Sequence, residues 1–432
     1  MAAELGRCRQ RRPHLKPTAG GDPPAAARGI SMKILTATVA VLATAGPACA
    51  QDLKLTPLAD LRARYEYVDQ AGLADTADAL TLRLRGGVAA SDGAFSALVE
   101  GQGTLGVDRH YYDGLQGSTA RPLVADPQDI ALYRAQLQYK TKGITLTAGR
   151  QRIALDDERF VGAIGFRQNG QTFDAVRAEW TGIPKLKVDI SYVWSVRTIW
   201  GIDGNGARQQ AVSGNNVLAN VSYATSIGTV TGFAYLIDQD EAAVQGFRLS
   251  SQTYGTRLVG ARAISKGVKL SYQASYARQS DYHDNPNAYA ADYYLIDAAL
   301  DLKAFRIGGG YEVLGADNGT ALTSFQTPLA TGFKFQGWAD KFLTTPPNGV
   351  RDLYGSVGYN LKALGSAKAV SIQAVYHRFD SDRQSQHYGN ELDLLASARF
   401  GRTTLSARYA DYHARSFATD TKKAWLQLDW AL

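Results

Sequence analysis

From Leu58 onward the chain alternates apolar and polar residues in long runs. In Leu80–Arg85, Leu80, Leu82 and Leu84 fall on one side while Thr81, Arg83 and Arg85 fall on the other. Lys185–Ser195 repeats the pattern over a longer stretch, as do Ala131–Tyr139 and Val268–Tyr276. Successive side chains of a strand point to opposite faces, so each run predicts a β-strand with one apolar and one polar face. A soluble sandwich alternates as well. Here the runs reach about ten residues, the length with which a tilted strand crosses a bilayer. Their apolar faces also end in aromatics: Tyr65, Tyr67, Tyr139, Tyr192, Trp194, Tyr223, Tyr276 and Tyr311. Rings at that position form the interfacial girdles of a membrane barrel.

Strands are expected near 58–68, 79–90, 94–107, 129–141, 143–150, 171–181, 185–197, 214–225, 228–238, 251–265, 267–279, 291–302, 304–315, 351–362, 369–379, 390–400, 402–413 and 423–432. The count is about eighteen, and even, as bacterial single-chain barrels require. Tight connections such as Ser91-Asp92-Gly93, Lys142-Gly143 and Lys266-Gly267 alternate with longer ones, among them 108–128, 151–170, 198–213 and 316–350. Short turns on one rim and long loops on the other predict an all-β transmembrane antiparallel barrel, with short periplasmic turns and long extracellular loops. Lys423–Leu432 puts Leu426, Leu428, Trp430 and Leu432 on one face. It resembles the closing strand that outer-membrane assembly machinery reads, although that strand more often ends in Phe.

The first fifty residues read differently. Met32 and Lys33 open a secretory signal pattern: a short positive start, an apolar stretch over Ile34–Ala45, and Ala48-Cys49-Ala50 as a cleavage site before Gln51. Gly46 stands where a lipoprotein signal wants Leu, which argues against lipidation of Cys49. Residues 1–31 are rich in Arg, Pro and Ala without periodicity, and are either a non-native upstream extension or a disordered tail. The expected organisation is therefore 1–31 extension, 32–50 signal peptide and 51–432 one barrel domain. The bacterial outer membrane is its expected place.

Composition adds exclusions. The cysteines, Cys8 and Cys49, both precede Gln51, so the mature chain has no thiol for a disulfide or a Cys-ligated metal. The formal charge of +7 is misleading, because residues 1–50 carry seven of the 47 basic and two of the 40 acidic residues. The near-neutral remainder carries no nucleic-acid signature. The 23 Tyr and 43 Gly against two Met favour one long closed sheet over a helical bundle.

The polar face would line a lumen. It carries Arg62, Arg64, Arg83, Arg85, Arg134 and Arg177 among other charges. Guanidinium suits carboxylate and phosphate, and rings of it favour anions; the plainer reading is that such charges brace the inner wall. Residues 149–177 form a connection rich in charge, with Arg150, Arg152, Arg159, Arg167, Asp156, Asp157, Glu158 and Asp174 around Phe160, Val161, Ile164 and Phe166. That content predicts a packed loop, either folded into the lumen or tied to itself outside. Residues 325–349 carry Phe333, Phe335, Trp338, Lys341 and Phe342, and these rings should pack on the barrel, the lumen or the lipid surface.

These two segments and the strand count resemble the alginate-export family of outer-membrane proteins over essentially all of Gln51–Leu432. The resemblance implies an eighteen-stranded monomeric barrel with an Arg-lined, anion-preferring pore for acidic sugars. Its partners would be outer-membrane lipids, an anionic sugar or polysaccharide, and the assembly machinery. The chain departs from a secretion channel in having no long periplasmic turn to act as a gate, which suits an uptake porin at least as well.

Other motifs carry little. Gly101-Gln102-Gly103-Thr104-Leu105-Gly106 matches G-x-G-x-x-G but lies inside an alternating strand with no helix after it, where small residues fit tight packing or a kink. His110, His283, His387 and His413 sit near loops or strand ends, His377 within a strand, and their spacing matches no zinc motif. Asp203-Gly204-Asn205-Gly206 lacks the bidentate Glu of a calcium loop. No local nucleophile–base set is present, so no cofactor, metal or catalytic residue is expected. The leading expectation is a channel for anionic solutes such as acidic oligosaccharides or an alginate-like polysaccharide. The alternatives are a weakly selective nutrient porin and an outer-membrane hydrolase.

Overall fold

The computed structural model describes residues 53–242 and 245–432. The expected signal peptide and extension lie outside the described residues. Eighteen strands follow one another: β1 (Lys54–Gln70), β2 (Ala77–Asp92), β3 (Phe95–His110), β4 (Asp129–Lys140), β5 (Ile144–Gln151), β6 (Thr172–Trp180), β7 (Leu186–Arg197), β8 (Ala211–Thr225) and β9 (Gly228–Ile237) make the first half. The second half is β10 (Ser251–Ser265), β11 (Val268–Asp281), β12 (Ala290–Leu302), β13 (Phe305–Leu314), β14 (Val350–Leu361), β15 (Ala369–Asp380), β16 (His387–Phe400), β17 (Thr403–Ala414) and β18 (Thr421–Ala431). Every strand pairs antiparallel with its sequence neighbours, and β1 pairs with β18 from Asp60↔Ala431 to Gln70↔Thr421. That last ladder closes the sheet, leaving no edge whose backbone groups would face hydrocarbon.

The alternation sorts residues as the pleat demands. Leu82 and Leu84 of β2 are exposed on the outer surface, while Thr81, Arg83 and Arg85 are buried inside. The outer face ends in two belts of rings. Phe95 with Tyr139 and Phe305 with Tyr359, at centroid separations of 4.9 and 4.7 Å, mark the short-turn rim. Tyr276 with Tyr294, 5.3 Å apart, and Tyr192 with Trp194 mark the long-loop rim. An apolar band between two aromatic belts is the surface a bilayer requires.

Several ladders extend beyond the alternating runs. β1 begins at Lys54 because Lys54–Pro57 pair with Val88–Ser91 of β2, and β8 begins at Ala211. A ladder uses backbone groups, so it needs no alternation of side chains. The register shift between Glu100 and Gly101 falls at the glycine-rich stretch of β3, the kink of the two expected readings. Opposite it Tyr133 is the extra residue, so Tyr133 and Arg134 both turn inward. Strict alternation from Arg134 would put Tyr133 outside; the bulge turns it inward.

Candidate functional site: a lumen divided by two loops

Two connections leave the long-loop rim and fold into the barrel: 152–171 between β5 and β6, and 315–349 between β13 and β14. They meet each other. Val161 bridges Leu329, Gly162 N–H donates to Leu329 O at 2.9 Å, and Thr331 N–H donates to Glu158 O at 3.1 Å. Phe160, Val161, Phe325 and Leu329 pack with Phe173, Phe233, Tyr235 and Tyr293 of the wall into one apolar cluster. Phe166 stacks on Phe333, and Trp425 of β18 meets both rings edge-on. The aromatics of both segments thus pack in the lumen, because that is where two loops and an inner wall bury them together.

Charge fastens the loops where apolar packing ends. Arg159 reaches Glu312 of β13 at 2.6 Å, Arg257 of β10 reaches Asp157 at 2.5 Å, and Lys334 reaches Glu158 at 2.7 Å. Arg167 joins Asp340 at 2.8 Å and Glu66 at 3.3 Å, and Lys423 joins the same Asp340 at 2.9 Å. Burial favours loss of the Arg167 proton, but Glu66, Asp340 and Asp126 outweigh it and hold the guanidinium above its ordinary value. Asp340 shows the converse: burial favours its protonated form, yet Lys423 and Arg167 keep it below the usual carboxylate value. Glu158 is likewise held low, with Lys334 and Thr331 prevailing over burial.

The crossed loops leave a vestibule on either side. The one toward the long-loop rim has a volume of about 640 Å³ and the other about 680 Å³. Phe333 and Gln336 border both, so the partition there is one side chain thick. Among the described residues, the charged ones around the first vestibule are Arg159, Arg167, Arg248, Lys341, Lys423 and a single carboxylate, Asp340. The second is mixed. Arg62, Arg152, Arg306, Lys334 and Arg408 share it with Glu158, Asp297, Glu312, Asp352, Asp393 and Asp429.

The expected pore arginines separate into three groups. Arg62 and Arg152 border the short-turn vestibule and Arg167 the other. Arg64, Arg83 and Arg85 are buried rather than open to the lumen, Arg64 and Arg85 against the 152–171 loop. Arg64 bonds Asp126, Gln427 and Phe166 O, Arg83 bonds Asp60, and Arg85 bonds Gln102 and lies 3.8 Å over the Tyr133 ring. Arg62 faces Arg83 directly across β1 and β2, and Asp429, Asp60 and three loop carbonyls offset that repulsion. Arg134, Arg150 and Arg177 are clamped along the wall by Glu100, Asp174 and Asp189. Among the expected loop residues, Asp156 accepts from Asn220, Trp338 N–H donates to Asp393 at 3.2 Å, and Lys341 donates to Gln70 at 3.3 Å.

Two features rest on meetings that sequence reasoning did not foresee. Arg408 of β17 lies beside the Phe166 and Trp338 rings, and its Nη1 has no hydrogen-bond partner among the described residues. His377 of β15 sits between Asp352 of β14 at 2.9 Å and Asp393 of β16 at 3.7 Å, opposite Glu391. Glu391 and Asp393 in turn accept the backbone N–H groups of Ala339 and Trp338. Alternation puts each of these on the polar face, but only the register of three strands brings them together.

Comparison with known proteins agrees with this architecture. The family model described as alginate export matches residues 55–200. No curated protein matches the chain. Among solved structures, the barrel resembles OccK9 (OpdG) of Pseudomonas aeruginosa with a TM-score of 0.68 at 15% identity, covering 88% of this chain and 98% of that one. OccAB4 of Acinetobacter baumannii gives 0.68 at 13% identity, covering 88% and 99%. OpdK of Pseudomonas aeruginosa, solved with vanillate, gives 0.63 at 11% identity, covering 87% and 98%. The chain is therefore an outer-membrane β-barrel of porin architecture that carries an alginate-export match over residues 55–200.

Proposed function

We propose that the barrel passes anionic solutes across the outer membrane, with acidic sugars as the substrate class. The carrying observation is the vestibule at the long-loop rim, whose wall among the described residues presents five cations and one carboxylate, and where Arg248 and Lys341 remain without an ion pair after Arg159 and Arg167 have met Glu312 and Glu66 behind the wall. That carboxylate, Asp340, is already neutralised by Arg167 and Lys423. A cleft lined by one sign of charge between low-dielectric walls concentrates counter-ions of the opposite sign. The alginate-export match over 55–200 supports a uronate as the anion. The loops that cross the lumen favour a slender solute, a single extended sugar-acid chain or a smaller acid, over a bulky one.

The test is single-channel recording of the refolded barrel in a planar bilayer under a KCl gradient. Chloride preference is expected, together with current block by uronate oligomers and none by neutral sugars. Cation preference would refute the reading. A pore open to both classes of sugar would instead support a weakly selective nutrient porin.

A further inference from the structure

We infer that Lys341 forms a carboxylate-binding subsite in the long-loop vestibule, so that an acidic solute is captured from that rim before it meets the partition. This rests on the anion-channel reading and adds a place and a side to it.

The observation is an ammonium that makes no ion pair among the described residues, the carboxylates of Glu391 and Asp340 acting on it only from beyond salt-bridge distance. Lys341 is half-buried and borders the vestibule, and among the described residues its hydrogen bond goes to the neutral Oε1 of Gln70 at 3.3 Å. Asp340, its chain neighbour, is engaged by Arg167 at 2.8 Å and by Lys423 at 2.9 Å. A partly desolvated cation normally acquires an anionic partner. This one faces a cavity whose wall supplies Arg248 and Arg167 but no free carboxylate among the described residues. A solute carboxylate would complete it with a charge-assisted hydrogen bond. The short-turn vestibule has no equivalent imbalance, because its carboxylates slightly outnumber its cations.

The charged groups around Lys341 bear on its protonation. Burial and the Lys423 ammonium pull its pKa down to about 8, against the opposing pull of Glu391 and Asp340. Capture of a carboxylate favours the protonated form, so it should weaken as alkaline conditions discharge the lysine. An arginine at the same place stays charged throughout that range.

The experiment uses the whole barrel in a planar bilayer. Orientation is set by streptavidin on a biotinylated Thr419→Cys at the exposed rim loop. A trimeric uronate is added to one side at a time, with a neutral trisaccharide as control, at about pH 7 and about pH 9.5. Block is expected from the long-loop side at about tenfold lower concentration than from the other, and it should fade at the higher pH. Lys341→Met should weaken the long-loop block about tenfold. Lys341→Arg should retain it and remove the fading. Heat-modified gel mobility verifies that each variant is folded. Equal block from both sides, or a Lys341→Met barrel that blocks as the parent does, would overturn the subsite. If the KCl reversal potential still shows chloride preference, the anion-channel reading survives that loss; cation preference would remove both.

Discussion

Arg159 Nε lies 2.6 Å from Glu312 Oε1, and this one pair ties the loop that leaves β5 to the wall at β13, eight strands around the barrel. Both side chains are almost fully buried, and Tyr293 and Gln336 also donate to Glu312. Arg159→Ala would leave Glu312 buried without its cation, a loss of about 3–5 kcal/mol. The expected outcome is a larger single-channel conductance and a lower temperature for the gel-mobility shift of the folded barrel. Unchanged conductance and an unchanged transition would show that the pair does not fasten the loop.

Asp340 gives the loop clamp an acid limit. Its folded pKa lies below the ordinary 3.8, so its ion pairs stabilise the closed arrangement fully above that value. The contribution is lost as pH falls from there through the depressed pKa. Open-channel current noise should therefore rise below about pH 4. Asp340→Asn should be noisier at neutral pH and change less on acidification, and equal acid dependence in parent and variant would contradict the assignment.

Gly337 tests the contact between the 315–349 loop and β16. Its φ is +78°, and a Cβ there would lie 2.4 Å from Glu391 Oε2. Gly337→Ala should push the loop off Glu391 and weaken the Ala339 N–H bond, at a cost of about 1–3 kcal/mol. Faster proteolysis within 315–349 is the expected readout. Gly355→Ala, where nothing lies within 4 Å, is the matched control and should cleave at the parent rate.

Leu84 tests the bilayer-facing surface. It lies midway along β2 and is 59% exposed on the outer face. Leu84→Arg should destabilise the barrel in lipid vesicles by about 2–4 kcal/mol in a urea folding titration. Little change would mean that this band does not sit in hydrocarbon.

The architecture was legible because a barrel writes itself locally. Leu80 to Arg85 states which face is wet, and each tight turn such as Lys266-Gly267 states where the chain reverses. The ring-rich loops were also readable as packed, since Phe166, Phe333 and Trp338 have nowhere in water to go. What stayed hidden depends on register and on meetings between distant segments. Arg64 and Arg85 read as pore residues, but the 152–171 loop covers them, and no local pattern encodes that cover. Tyr133 turned inward through one extra residue opposite Gly101. His377 met Asp352 and Asp393 through pairings of β14 to β15 and β15 to β16 that single-strand periodicity does not contain.

The two inward loops spring from nearly opposite sides of the cylinder and are bonded where they cross at Val161 and Leu329. A flap hung from one hinge swings clear as a unit, whereas a beam resting on two abutments has no such motion. To open fully, this beam must release the Arg159 pair at the wall and the Arg167 and Lys334 pairs between the loops, and loss of a single pair loosens the span without clearing it. Traffic would then pass by the yielding of side chains such as Phe333 and Gln336 at mid-span. The electrical signature of such a pore is a steady current rather than slow switching between shut and open.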